Sequence, residues 1–183
     1  MTQTKDTKKI GKLRKIIRDL YPTYIYDKVE NIPYDLIKDQ NIKLLIFDMD
    51  NTLIDNKHTY SKELKKWADD MKIKAVTLYI NSNSPFEKLV EKIANELGMQ
   101  YNYNANKPFL KGFKKIQYEM KIPKENIMMI GDQLFTDIWG GNRFGIKTIL
   151  VRPIKKSETF ISRIKRPFEK IVLKHYIKKK GGM

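Results

Sequence analysis

Leu44-Leu45-Ile46-Phe47 is an uninterrupted apolar run of strand length, and it ends directly on Asp48-Met49-Asp50-Asn51-Thr52. A run without polar alternation is the pattern of a strand covered on both faces, which places it inside a parallel sheet flanked by helices. In such sheets ligands bind outside the carboxyl ends of the strands, where these acids stand. Side chains two residues apart in extended chain share a face, so Asp48 and Asp50 are expected to project into one crevice. Carboxylates that close repel, and a cation or a shared proton relieves the repulsion. A hard divalent ion such as Mg²⁺ taking oxygen from Asp48 leaves Asp50 free for proton transfer.

The arrangement recurs downstream. Ile127-Met128-Met129-Ile130 runs into Gly131-Asp132 and then Thr136-Asp137; Ala75 to Ile80 leads into Asn81-Ser82-Asn83; Tyr101-Asn102-Tyr103 leads toward Lys107-Pro108. Helical patterns over Ser61 to Met71, Ser84 to Leu97, Pro108 to Met120 and around Thr136 to Phe144 alternate with these runs, and Ile146 to Val151 supplies a last strand. This is the βα rhythm of an α/β protein with a parallel sheet. Ser84, Pro85 and Glu87 read as N-cap, first helical residue and closing member of a capping box, on a helix that aims its free amides at an anion. His58 lies several residues past the first acids with no partner histidine, and reads as a surface residue.

Taken in order, Asp48 to Thr52 as D-x-D-x-T, Ser82 at a strand end, the lone Lys107 and Gly131 to Asp137 as G-D-x-x-x-T-D resemble the four motifs of the haloacid dehalogenase superfamily of aspartyl-phosphate phosphatases. The resemblance covers about residues 40 to 153. It implies a Rossmann-like three-layer sandwich with a mainly parallel sheet. It also implies Asp48 as nucleophile, and Asp50 as general acid to the leaving group and general base for water. Mg²⁺ would be held by the Asp48 carboxylate, the Asp50 backbone carbonyl and the Asp132 carboxylate. Ser82, the Asn83 backbone and Lys107 would bind the phosphoryl oxygens, and Thr52 and Asp137 would support the site.

Spacing bears on the substrate. The intervals from Asp50 to Ser82 and from Ser82 to Lys107 hold one helix and one strand each, so no large cap domain is expected and the site should be open. An open crevice cannot enclose a small metabolite and exclude water from it, which suits a substrate presented on something large. The chain of 183 residues has no cysteine, which excludes a cysteine-nucleophile mechanism and disulfides. With no secretory signal or long uncharged apolar stretch, it is expected to be cytoplasmic.

The net charge of +16 is concentrated at the ends: residues 1–20 carry seven basic and two acidic side chains, and residues 152–183 carry eleven and two. Three parts are therefore expected: a basic amphipathic segment over 1–40, a catalytic core over 41–153 and a basic helical segment over 154–183. Ile10, Leu13, Ile16, Ile17 and Leu20 fall at helical spacing among basic residues, and so do Ile161, Ile164, Phe168, Ile171 and Val172, although Pro167 interrupts the second stripe. Such segments can lie in a membrane interface or pack on the sheet.

Among uncapped members the chain is most similar to the phosphatidylglycerophosphate phosphatase family, through Asp48 to Leu53, Gly131 to Arg143, Val151-Arg152-Pro153-Ile154 and Arg166-Pro167-Phe168-Glu169. Ser84 departs from the pattern, which has a second Asn there. This likeness implies removal of phosphate from phosphatidylglycerophosphate in phospholipid biosynthesis. The enzyme would be peripherally bound to the inner face of the membrane, with an anionic membrane surface as partner. Basic ends bind polyanions generally, so a nucleic-acid end phosphatase is the rival enzyme, although aromatics suited to stacking are sparse in the first segment. A non-enzymatic RNA- or ribosome-binding module on the same fold is opposed by the intact Asp48, Asp50, Ser82, Lys107, Asp132 and Asp137.

Overall fold

The computed structural model describes residues 16–155 together with Val172, Lys174 and Tyr176. Strands β1 (Tyr24–Tyr26), β2 (Leu44–Phe47), β3 (Thr77–Asn81), β4 (Gln100–Asn102), β5 (Ile127–Gly131) and β6 (Lys147–Val151) pair in parallel throughout, in the order β1-β6-β5-β2-β3-β4. Helices α1 (Tyr34–Asp39), α2 (Lys62–Ile73), α3 (Glu87–Leu97), α4 (Lys111–Met120) and α5 (Trp139–Phe144) fill the connections. The result is an α/β sandwich of three layers, as the βα rhythm predicts.

Alternation along each strand divides the core between the two faces. Leu45, Phe47, Leu78, Ile80, Met128 and Ile130 pack with α2 and α3 residues such as Leu64, Trp67, Val90 and Ile93. Leu44, Ile46, Tyr79, Ile127 and Met129 pack on the other face with Phe113, Ile116 and Phe144. Burial on both faces explains why β2 and β5 read as continuous apolar runs. Fully burying one such side chain is worth about 1.5–3 kcal/mol.

From β2 the chain moves outward through β3 and β4, then returns to pair β5 against the other side of β2 and continues to β6. The strand order thus reverses between β2 and β5, which opens a crevice at their carboxyl ends. Register puts Phe47 level with Ile80 and Ile130, so the residues that follow each strand emerge side by side. One loop and α2 separate β2 from β3, and α3 alone separates β3 from β4. No cap domain is inserted among the described residues.

Several boundaries differ from the sequence reading. The helix expected from Ser84 begins at Glu87, with Phe86 at its N-cap and no side-chain cap. Ser84 closes a local turn ahead of the helix: its Oγ accepts from the Phe86 amide at 3.3 Å, its amide donates to Ser82 Oγ at 3.0 Å, and its carbonyl accepts from the Asn104 amide at 2.9 Å. The free-amide helix start expected at Ser84 is therefore displaced. Helix α4 begins at Lys111 rather than Pro108, and Thr136 lies in a π-helical turn, Leu134–Ile138, that precedes α5.

Part of the leading segment expected over residues 1 to 40 enters the fold itself. Strand β1 pairs with β6, and Val29, Ile32 and Ile37 are buried in the core. Residues 16–19 are helical, Leu20 packs with Leu134, Ile138 and Leu150, and Val172 lies against that cluster. Tyr176 is buried with its ring 5.4 Å from that of Tyr21. Ile10, Leu13, Ile161, Ile164, Phe168 and Ile171 lie outside the described residues.

Candidate active site

Asp48 continues from β2, its backbone amide still donating to the Ile130 carbonyl at 2.9 Å. Beyond it the chain folds tightly: the amides of Thr52, Leu53 and Ile54 all point to the Met49 carbonyl, at 3.3, 2.9 and 3.2 Å. Asn51 takes the turn at φ 62°, a left-handed conformation that asparagine tolerates. Met49, Leu53 and Ile54 are fully buried and anchor this loop beneath the acids.

Lys107 crosses to the same place from the loop after β4. Its Nζ lies 2.7 Å from Asp48 Oδ1 and 2.7 Å from Asp137 Oδ1, and its side chain is 1% exposed. Burial alone would lower the lysine pKa, but the charges of Asp137 and Asp48 overcome it and raise the value above the ordinary one. Asn83 fixes the backbone there: its Oδ1 accepts from the Lys107 amide at 2.7 Å and its Nδ2 donates to the Lys107 carbonyl at 3.1 Å.

From the end of β5, Gly131 makes room for Asp137. A Cβ on Gly131 would lie 2.4 Å from Asp137 Cγ. The Gln133 amide donates to Asp137 Oδ2 at 3.1 Å, which closes the π-helical turn onto the site. Thr52 Oγ1 donates to Asp132 Oδ1 at 3.4 Å. Carboxylate oxygens of Asp48, Asp132 and Asp137 all lie within 4.8 Å of one another. Burial raises the pKa of Asp132, and the Asp48 and Asp137 charges raise it further. Burial likewise raises that of Asp137, against the lowering pull of Lys107. Three carboxylates facing one lysine leave an excess of negative charge, and their oxygens are hard donors; together these fit a divalent cation.

Asp50 stands on the exposed rim, yet desolvation of its carboxyl, followed by the Asp48 charge, raises its pKa. His58, exposed on the following loop, acts in the opposite direction on Asp50. Ser82 is wholly buried at the end of β3, its amide donating to the Asn102 carbonyl at 2.9 Å. The structure thus joins Asp48, Lys107, Asp132 and Asp137, with Asn83 acting on Lys107 through the backbone. Asp137 stands in the acidic cluster beside Asp48 and Asp132, and Asp50 faces the same mouth from the rim.

Two features went unread in the sequence. Asn81 and Asn102, neighbours across β3 and β4, form a buried pair at 2.9 Å, and Lys115 Nζ donates to Asn102 Oδ1 at 3.1 Å. Only their positions at two strand ends hinted at it. Asp55 organises the loop after the first motif, accepting from the Lys57 and Thr59 amides and the Thr59 hydroxyl while pairing with Lys155 at 3.1 Å. A cleft of about 500 Å³, lined in part by Thr52, Leu53, Asp55, Tyr60, Arg152 and Ile154, opens beside it.

Comparison with known proteins places these features. A family model described as HAD-hydrolase-like matches residues 104–172. The probable phosphatase YqeG of Bacillus subtilis is 36% identical over 161 residues, covering 87% of this chain and 92% of that protein. Phosphatidylglycerophosphate phosphatase 1, chloroplastic/mitochondrial, of Arabidopsis thaliana is 27% identical over 163 residues; the match spans 81% of this chain and 45% of that protein. A crystal structure of an uncharacterized protein from Listeria monocytogenes superposes with a TM-score of 0.50 at 19% identity, covering 64% of this chain and 85% of that one, and so shares its fold.

Proposed function

Because the chain belongs to the haloacid dehalogenase-like phosphatases, we propose that it hydrolyses phosphomonoesters through an aspartyl phosphate on Asp48, with Mg²⁺ as cofactor, and that its substrate is phosphatidylglycerophosphate. The observation that carries this reading is the buried Lys107, 2.7 Å from both Asp48 and Asp137 where the strand order reverses.

Asp48 and Asp132 would hold the ion together with the Asp50 backbone carbonyl, with Asp137 beside them in the acidic cluster, and the ion would supply positive charge to the phosphoryl oxygens. The residues perform the remaining steps. Lys107 holds the Asp48 carboxylate in place and presents a fixed cation where charge develops on the phosphoryl group. An Asp48 oxygen forms a bond to phosphorus as the bond to the leaving oxygen breaks. Asp50, whose pKa is raised by burial and by the Asp48 charge, acts as general acid and gives a proton to that oxygen. The Asp50 carboxylate then takes a proton from water as water attacks phosphorus, which frees phosphate and restores Asp48.

Two observations support the lipid substrate. The described residues carry no cap over the crevice, so a headgroup held at a surface can reach Asp48. The plant relative carries the phosphatidylglycerophosphate phosphatase name at 27% identity. The test is phosphate release from phosphatidylglycerophosphate in mixed micelles, glycerol phosphate and phosphate-ended oligonucleotides, with and without Mg²⁺. Mg²⁺-dependent preference for the lipid is expected. Preference for the oligonucleotide would replace the lipid reading with a nucleic-acid end phosphatase.

A further inference from the structure

Helices that connect parallel strands run back across the sheet, so the residues just before α3 and α4 stand on its carboxyl edge, the edge on which the site opens. Both of those positions hold large exposed apolar side chains: Phe86 is 68% exposed and Phe109 62%. Among the described residues these are the exposed phenylalanines; Phe47, Phe113 and Phe144 are buried. Their two loops are tied together by the Asn104 amide donating to the Ser84 carbonyl at 2.9 Å. On the far side of the crevice, Ile154 is 47% exposed after β6, held by its amide to the Asn51 carbonyl at 2.9 Å. Exposed lysines accompany this apolar rim: Lys88 two residues after Phe86, Lys111 two residues after Phe109, and Lys57 on the loop after the first motif. Phe109 and Lys111 line one hollow of about 470 Å³ together with Tyr103.

Exposed apolar side chains stand elsewhere too, at Ile73 and Tyr118; what sets Phe86, Phe109 and Ile154 apart is that all three lie on the edge on which the site opens. The apolar groups stand on three separate loops, and exposed lysines lie two residues after Phe86 and two after Phe109, with Glu87 the acid beside Phe86. That spacing matches a fluid surface that accepts apolar side chains and attracts positive charge. We propose that the carboxyl edge docks on an anionic phospholipid surface through Phe86, Phe109 and Ile154, with Lys57, Lys88 and Lys111 facing the headgroups. The placement rests on the lipid-phosphate reading above, since docking this edge lays the mouth of the site on the surface that carries the substrate.

The test uses the full chain carrying Phe86→Trp or Phe109→Trp, with Tyr118→Trp as a control at an exposed position in α4. The probes are vesicles of phosphatidylcholine and phosphatidylglycerol in equal parts, with or without bromine on the acyl chains. Measured as the difference from the unaltered chain, whose Trp67 and Trp139 set the background, emission from positions 86 and 109 should move to the blue and be quenched by the brominated lipid, while position 118 should not respond. Phe86→Ser combined with Phe109→Ser should weaken vesicle co-sedimentation at least about tenfold, given the apolar area removed. An equal response at position 118, no response at 86 and 109, or a response to oligonucleotides in place of vesicles would overturn the proposal. Vesicle insertion without hydrolysis of phosphatidylglycerophosphate would leave docking standing and remove the substrate assignment; hydrolysis in micelles without insertion would do the reverse.

Discussion

At the scale of single residues, Lys107 is one cation held among three carboxylates, and this imbalance governs how the site should titrate. Asp132 and Asp137 have folded-state pKa values raised above their unfolded ones, Asp137 to about 6, with burial the largest cause in each. Between the unfolded and folded values the native state binds more protons than the unfolded chain, so stability falls as pH rises through that window. The protein without Mg²⁺ should therefore melt at a higher temperature near pH 5 than near pH 7.5, and added Mg²⁺ should raise the melting temperature more at the higher pH. Calorimetry at both pH values, with and without the ion, measures this; an ion effect equal at both would separate the cluster from Mg²⁺ binding. Asp48→Asn should keep the fold and abolish phosphate release, because an amide is a far weaker nucleophile. Near wild-type release by that variant would end the aspartyl-phosphate mechanism. Asn83→Ala removes two hydrogen bonds to the Lys107 backbone, each worth a net of about 0.5–1.5 kcal/mol. Its expected signature is a fall in kcat/KM of about tenfold together with a melting temperature lowered by several degrees, read from steady-state kinetics on p-nitrophenyl phosphate beside a thermal melt.

At the scale of elements, the site depends on how closely the π-helical turn can approach β5. Gly131→Ala would place a methyl group 2.4 Å from Asp137 Cγ and force the turn away from Lys107. Overpacking of this kind costs about 1–3 kcal/mol, so a lower melting temperature together with a large loss of kcat is expected; unchanged kcat would mean that Asp137 need not face Lys107. The elements that build this arrangement differed in how plainly the sequence showed them. Strands β2 and β5 were legible because burial on both faces leaves apolar runs that stop sharply at acids. The start of α2 was legible because Ser61 does what its local pattern says, its Oγ accepting from the Leu64 amide at 3.0 Å. The start of α3 was not, since Ser84 Oγ does accept from the Phe86 amide but in a turn whose backbone is tied to Ser82 and Asn104, and the helix begins only at Glu87. Strand β1 was illegible for another reason: with three residues at the sheet edge and Ile25 exposed, it has too little apolar periodicity to announce itself. The four motifs showed which residues meet, but the clamp of Asn83 on Lys107 spans 24 residues and exists only once β3 and β4 are paired.

At the scale of the whole molecule, charge and catalysis occupy different parts of the chain. Of the net +16, the greater part lies in residues 1–20 and 152–183, outside the sheet strands that carry the acids. Of the apolar side chains of those ends that the structure describes, Leu20 and Val172 pack with Leu134, Ile138 and Leu150, whereas Ile16, Ile17 and Ile154 are exposed. The charge of the basic ends should add about 1 kcal/mol per lysine or arginine brought near an anionic surface. Replacing Lys8, Lys9, Lys12, Arg14, Lys15 and Arg18 by glutamate should weaken co-sedimentation with phosphatidylglycerol vesicles and lower activity on lipid substrate, while sparing hydrolysis of p-nitrophenyl phosphate. Raised salt should act in the same selective way, since exposed charges are screened beyond a Debye length of roughly 8 Å. The apolar contacts of Phe86 and Phe109 would be far less sensitive to salt, so the part of vesicle binding that survives at high salt should vanish in the Phe86→Ser, Phe109→Ser variant. Equal losses on lipid and soluble substrate after charge reversal would assign those six residues to the folded core, and unaltered vesicle binding would leave the carboxyl edge and the other basic end to hold the enzyme on the surface.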